Sequence, residues 1–579
     1  MSGIEICDLP NELITQILRN LSQDDLQNAS LTCKLWKNLI ESSCRWSLLL
    51  YHNNEVDVDE PWIDFMLSTN RKFDTIKLDM IMFMDKNKTL EIFQKHGPSV
   101  VNLHLMGSCI DSFIELAKVL KCMPNLKHVI VLETSTTCGV DDVPLLSDLP
   151  DLPKLKTLEM LGSEYSIVKC FHKSKLTTMK IFNSYHDYSL NCKPLEEFLK
   201  SQEMLTTLAF RSLHQHTSTI FRTKTLNQSM PFNLTHLSLL NLRLQESPNG
   251  YNNMLAFMKP HAKTLKVLEL GRYFPSFVFE FVFANMTRLE TITLMMTEIP
   301  KDDSFHERLE EHRNIKNLIF SNSAGYNDET SHFLGDFLKK LPNVNSLTIR
   351  DYCGNRELRV MAAGIPKLES LDVYSFNQRL FDGVRFPELK SLRIHQMDED
   401  IDWEDFTQAN SRLIELTINQ IFDEEFLNHD NMEIIATNLN LQCLRLGESV
   451  SADKRFFEIV REKCPDLQIL DLHESNVPDE VMDQLKCVRL CDSNAFERME
   501  YSRFWNDYDG RLPYDESDDD DNGWMAGAGM LGPFDPYLMG IDFGYDDVNA
   551  DNYEDFNAPG WHVDDDEDLY DLDDLGDEY

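Results

Sequence analysis

Apolar residues recur along most of the chain in one spacing, Leu-x-x-Leu-x-Leu, cleanest at Leu467-Gln-Ile-Leu470-Asp-Leu472. Sixteen copies, with aliphatic or aromatic substitutions, begin at Phe73, Val100, Leu126, Leu155, Leu176, Leu205, Leu234, Leu265, Leu289, Ile315, Val344, Leu368, Leu389, Leu413, Leu441 and Leu467, a mean period of about 26 residues. The two-residue alternation inside each copy predicts a short strand with one face buried. A unit this short cannot bury that face alone, so neighbouring copies must stack into one solenoid of parallel strands. Three apolar positions per copy point inward, and the alternate positions line the open face of the sheet.

The stretch before the repeats has a different texture. From residue 6 to 40, Leu9, Leu13, Ile14, Ile17, Leu18, Leu21, Leu26, Leu31, Leu35, Leu39 and Ile40 fall at helical spacings. Asp8-Leu9-Pro10-Asn11-Glu12 predicts a helix start, Ser22 a second, and Ser30 to Ile40 a third helix. Three helices in about 40 residues make a core near the lower limit for independent folding, so the bundle needs another surface to lean on.

Leu9-Pro10, Glu12, Ile17-Leu18, Leu21, Asp25-Leu26, Ala29, Leu31, Cys33, Trp36 and Ile40 resemble the F-box pattern, with Thr32 as a departure before Cys33. The repeats, by period and apolar spacing, resemble leucine-rich repeats. The combination is similar to the F-box/leucine-rich-repeat substrate receptors of SCF-type cullin-RING ubiquitin ligases. The fold class expected is α/β: a small three-helix F-box, then a curved solenoid with parallel strands on its concave face, then a disordered acidic tail. The resemblance implies that Leu9, Pro10, Ile14, Ile17, Leu18, Leu26, Leu31 and Trp36 form the core or the adaptor-binding surface of the box. The partners it implies are a Skp-type adaptor, through it cullin and RING subunits, and a protein target. The chain itself would be no enzyme. An interaction scaffold that recruits the adaptor without promoting degradation is the alternative.

The expected segments are the F-box at 1–45, a linker and N-terminal cap at 46–72, the solenoid at 73–486, a C-terminal cap at 487–508 and the acidic tail at 509–579. Along the open face, the residues inside and just after each motif divide the sheet. Early copies present Met106, Leu132, Leu161, Phe182, Leu240 and Met295, whereas later ones present Arg350, Tyr374, Arg393, His395, Arg445 and His473. The first group is as compatible with extra core as with a binding surface. The second group is the candidate substrate-binding set, since planar guanidinium donors suit carboxylate or phosphate recognition.

Charge narrows the partners. The formal net charge is -42, and the run from Asp507 to Tyr579 holds 25 acidic residues against Arg511 alone. Nucleic acid and anionic membrane both need a cationic surface and are disfavoured. The tail composition predicts disorder in isolation. Yet the tail also holds Trp524, Phe534, Tyr537, Phe543, Tyr545, Trp561 and Tyr570, which leads to the expectation of a contact between the tail and the basic half of the concave face. Thirteen scattered cysteines and the absence of an apolar leader or a long apolar run predict an intracellular chain, cytoplasmic or nuclear.

No catalytic constellation or cofactor site emerges. Gly527-Ala-Gly529-Met-Leu-Gly532 has the spacing of a dinucleotide loop but lies in the acidic tail, where a pyrophosphate is repelled. His306 and His312 flank Glu310-Glu311 without zinc-helix spacing, and Cys487 and Cys491 lack a second pair. No metal is expected.

Overall fold

The computed structural model describes residues 9–51 (except 22), 61–79, 86–136 (except 108 and 111), 147–183, 193–212, 230–240, 249–271, 274–296, 305–322, 328–375 (except 353), 383–397, 401–421, 428–448, 453–472 and 489–490, with single positions 6, 221, 242 and 244. The expected tail at 509–579 lies outside the described residues.

One parallel sheet of 18 strands runs through the molecule, and helices return the chain behind it in a curved solenoid. All sixteen motif copies sit in this sheet in register. The central residues pair without interruption from Lys77 and His104, through Ala209 and Ser238, to Arg445 and Asp471. The inward positions are sealed: Leu103, Leu158, Leu208, Leu268 and Leu416 are fully buried in one core that extends from Ile14 to Leu472. Each inward residue is covered by its counterparts on both neighbouring strands and by the return segment, so burial needs no other domain.

Polar groups at the turns join the repeats. Before the strand, Asn125, Asn314 and Asn343 donate from Nδ2 to the carbonyls of Pro98 (2.7 Å), Thr287 (2.6 Å) and Arg313 (2.8 Å) in the preceding unit. Beneath them, buried side chains satisfy buried backbone groups. His96 Nε2–H donates to the Met66 carbonyl at 2.8 Å, and Gln202 Oε1 accepts from the Leu176 N–H at 3.0 Å. Asn410 Oδ1 accepts from Phe386 N–H at 3.1 Å. His312 belongs to this series, its Nε2–H donating to the Met286 carbonyl at 2.9 Å, which makes it a structural link between repeats.

Two more strands flank the sixteen. Arg45–Tyr51 pairs in parallel with Lys72–Asp79, and helix Pro61–Ser68 returns between them, so the stretch read as linker and cap is itself a repeat. A register shift between Trp46 and Ser47 explains why the motif spacing is broken there. At the far end Arg489–Leu490 pairs in parallel with Ile469–Leu472, so the sheet continues into the stretch read as a C-terminal cap. The rest of 487–508 lies outside the described residues.

Candidate functional site

Two surfaces carry candidate function. The first is the N-terminal bundle, whose helices span Asn11–Leu18, Gln23–Thr32 and Lys34–Ser43. Pro10 takes the N-cap position of the first helix, where its missing N–H costs nothing. The third helix starts at Lys34 and not at Ser30, because the second continues to Thr32. Cys33 is then extended, and its Sγ accepts the Trp36 N–H at 3.5 Å.

Burial sorts the eight box residues into two groups. Ile14, Leu18 and Leu26 are buried and fall on the core side of the expected division between core and adaptor-binding surface: their side chains make the interior that the three helices share. Leu9 and Trp36 are partly buried against the same core. Pro10 is exposed. Ile17 is 41% and Leu31 81% exposed, and Leu13 (46%), Leu35 (37%) and Ile6 (43%) join them. Isolated exposed leucines are ordinary, whereas five large apolar side chains open to solvent within about 30 residues are a candidate surface for a partner.

The second surface is the open face of the sheet. Its early apolar group divides as well. Leu240 and Met295 are buried, though outside the contiguous core that holds Leu239 and Leu294, while Met106, Leu132, Leu161 and Phe182 are half-buried. Arg211 lies among them, with its guanidinium 5.6 Å from the Phe182 ring and 2.8 Å from Glu269.

Of the six candidate substrate residues, three meet at one place. Tyr374, on strand Ser370–Ser375, stacks on His395 of strand Ser391–Met397, with ring centroids 5.4 Å apart and planes 24° from parallel. His395 Nε2 lies 2.9 Å from Asp372 Oδ1, and its Nδ1 2.9 Å from Asn419 Nδ2. An amide nitrogen can only donate, so Nδ1 accepts and the proton sits on Nε2, pointing to the carboxylate. Arg393 reaches the other Asp372 oxygen at 3.9 Å. Asn419 is itself held from behind. A Cβ on Gly447 would collide with the Asn419 carbonyl, so only glycine permits this approach of the two strands.

The remaining three are dispersed. Arg350 is half-buried on strand Ser346–Tyr352. Arg445 pairs by register with Thr417 and Asp471, and its Nε is buried with no hydrogen-bond partner among the described residues. His473 lies outside the described residues. Sequence reasoning missed Asp372, Asn419 and Gly447. The register held the signal, because Asp372 and Arg393 occupy the same column on adjacent strands. The expected basic character of this half is thereby reduced, since Asp372 already engages Arg393 and His395.

Among the described residues, no group of three His, Cys, Asp or Glu is placed to hold a metal ion. No described helix is long and apolar enough to cross a membrane.

The F-box domain family matches residues 6–48. The chain is an F-box domain joined to a leucine-rich-repeat solenoid. No curated protein matches the chain. Among solved structures, a TLR13–ssRNA13 complex is similar at 14% identity and a TM-score of 0.33, over 78% of this chain and 81% of that one. A mouse RP105/MD-1 complex is similar at 14% identity and a TM-score of 0.40, over 81% of this chain and 80% of the other. At such scores neither likeness bears on function, and the architecture rests on the strand register itself.

Proposed function

We propose that this chain is the substrate-recognition subunit of an SCF-type cullin-RING ubiquitin ligase. The F-box binds a Skp-type adaptor, and cullin and RING subunits join through it. The solenoid holds a protein target, and ubiquitin transfer is the chemistry of the recruited subunits, with no catalytic role for this chain. The cytoplasm, the nucleus or both would be its place of work.

The observation that carries this reading is the exposed apolar set on the box, led by Leu31 at 81% exposure. F-box domains generally bind Skp-type adaptors, and such a surface needs a partner. A second feature supports it. The third box helix ends at Ser43 and the first strand of the sheet starts at Arg45, with Ile40, Cys44 and Trp46 buried in one core. A target on the sheet is thus held at a fixed distance from the adaptor, and proximity of this kind raises transfer rates.

Capture from cells tests the reading, comparing the intact chain with an Ile17→Asp, Leu31→Asp variant. Adaptor and cullin should accompany the intact chain and vanish with the variant. Proteins retained by both baits are candidate targets, and their turnover should slow when only the variant is expressed. Equal capture of adaptor by both forms, or targets whose lifetimes ignore the variant, would refute it.

A further inference from the structure

The open face at Tyr374 has the features of a built recognition site. Tyr374 is 40% exposed, yet its ring is fixed by stacking on His395, whose two nitrogens face Asp372 and Asn419. A preorganised aromatic surface loses little entropy on binding. Beside it, the register between strands Ser346–Tyr352 and Ser370–Ser375 shifts between Ile349 and Tyr352, so that one more residue stands on the first strand than on the second. Bulges of this kind redirect side chains next to binding sites, and this one carries Arg350. Arg393, its side chain 23% exposed, lies on the strand on the other side of Tyr374. An aromatic platform between two arginines fits an extended peptide that places a ring on Tyr374 and a carboxylate, two residues away at roughly 7 Å, on the Arg393 guanidinium.

The chain contains such peptides. Tyr514-Asp-Glu516, Tyr545-Asp-Asp547, Tyr553-Glu-Asp-Phe556 and Asp568-Leu-Tyr570 all lie in the acidic segment, outside the described residues. Reach is no obstacle. From Ser370–Ser375 to Arg489–Leu490 the sheet advances five strands, or about 24 Å at ~4.8 Å each. The 71 residues of 509–579 supply ample contour to cover it, since each residue of chain spans up to about 3.3 Å. Tethering at this length gives an effective concentration in the millimolar range, above that of most free competitors.

We propose that the Tyr374 site binds an aromatic-acidic motif of the chain's own segment 509–579, which occupies the concave face until a target displaces it. This goes beyond the receptor reading and does not depend on it. It also shifts the basis of the expected tail contact from bulk charge, which Asp372 reduces, to one aromatic position with flanking arginines.

A photo-cross-linking phenylalanine analogue in place of Tyr374, in the full-length chain, tests the proposal. On irradiation, cross-linked peptides should map within 509–579, and their yield should be independent of protein concentration. Arg393→Glu on the same chain should lower that yield roughly tenfold, the loss expected for one charge-assisted contact. The analogue at Phe277, exposed on helix Ser276–Asn285 behind the sheet, should give none. Adaptor binding, measured on the same samples, reports that the chain is folded and separates this test from the receptor reading. Cross-links that avoid the segment, that rise with concentration as contacts between two copies do, or that ignore Arg393→Glu would overturn the proposal.

Discussion

The F-box and the solenoid are built from the same leucines and isoleucines, yet they treat them in opposite ways. Leu268, in the middle of the sheet, is fully buried, and its counterparts Leu237 and Ile292 on the adjacent strands are within 1% of that. Leu31, in the box, is 81% exposed. The difference lies in the number of neighbours. An interior repeat has an equivalent unit on each side, so every apolar position is covered within the chain. Among the described residues the box has a neighbour on one side only, where helix Lys34–Ser43 leads into the first strand. An apolar residue is therefore structural in one region and available for binding in the other, and topology decides which.

The sharpest way to break this comparison is to remove one leucine from each region. Leu268→Ala deletes fully buried volume and should destabilise the chain by about 2–5 kcal/mol in urea denaturation. Leu31→Ala removes an exposed side chain and should change stability by less than about 0.5 kcal/mol. Comparable losses would mean that Leu31 is packed in solution.

Acid should act on the solenoid through its buried turn histidines. His261 stacks on Phe232 at 5.5 Å and accepts the Leu234 N–H at 3.4 Å. Burial pushes its pKa down to about 4 from 6.5, and burial lowers that of His96 as well. Between those limits the unfolded chain binds the proton that folded His261 refuses. Stability is thus complete above pH 6.5 and falls as the pH drops towards 4, by on the order of 3 kcal/mol from His261. Urea midpoints at neutral and acid pH check this, and His261→Gln should shrink the decline. A decline unaltered in His261→Gln would assign the acid sensitivity elsewhere.

Gly447→Ala probes the connection between the sheet and its open face. The new Cβ collides with the Asn419 carbonyl, so overpacking should cost about 1–3 kcal/mol. The shift of Asn419 should also alter the ring-nitrogen signals of His395 in NMR spectra, whereas a residue important only for packing would leave them in place. The smallest effect belongs to the turn asparagines. Asn314→Ala removes the bond to Thr287, on an exposed edge, and should cost about 1 kcal/mol in the same denaturation assay.

Much of this was legible in the sequence. The sixteen copies were readable because each strand repeats one spacing, and stacking forces equivalent residues into register. Arg45–Tyr51 escaped because the bulge after Trp46 breaks that spacing, although Leu48 and Leu50 still pair with Ile76 and Leu78. The division of the box was hidden for another reason. Helical periodicity marks Ile14 and Ile17 alike as apolar, and only the assembled bundle shows that the first is covered and the second open. At Tyr374 the basic and aromatic residues stood out by type. What fixes them did not, because Asp372, Asn419 and Gly447 act through contacts between strands about 20 or more residues apart.

The most direct test of the open face on the box is calorimetric titration of purified Skp-type adaptor into the full-length chain and into Leu31→Asp, over a range of temperatures. If that face is the docking surface, the intact chain binds with a negative heat-capacity change, as apolar burial requires. The variant should then bind at least about a hundredfold more weakly, through loss of the contact and burial of a charge. An affinity and heat-capacity change identical for the two chains would contradict the assignment of Leu31 and its neighbours to a partner.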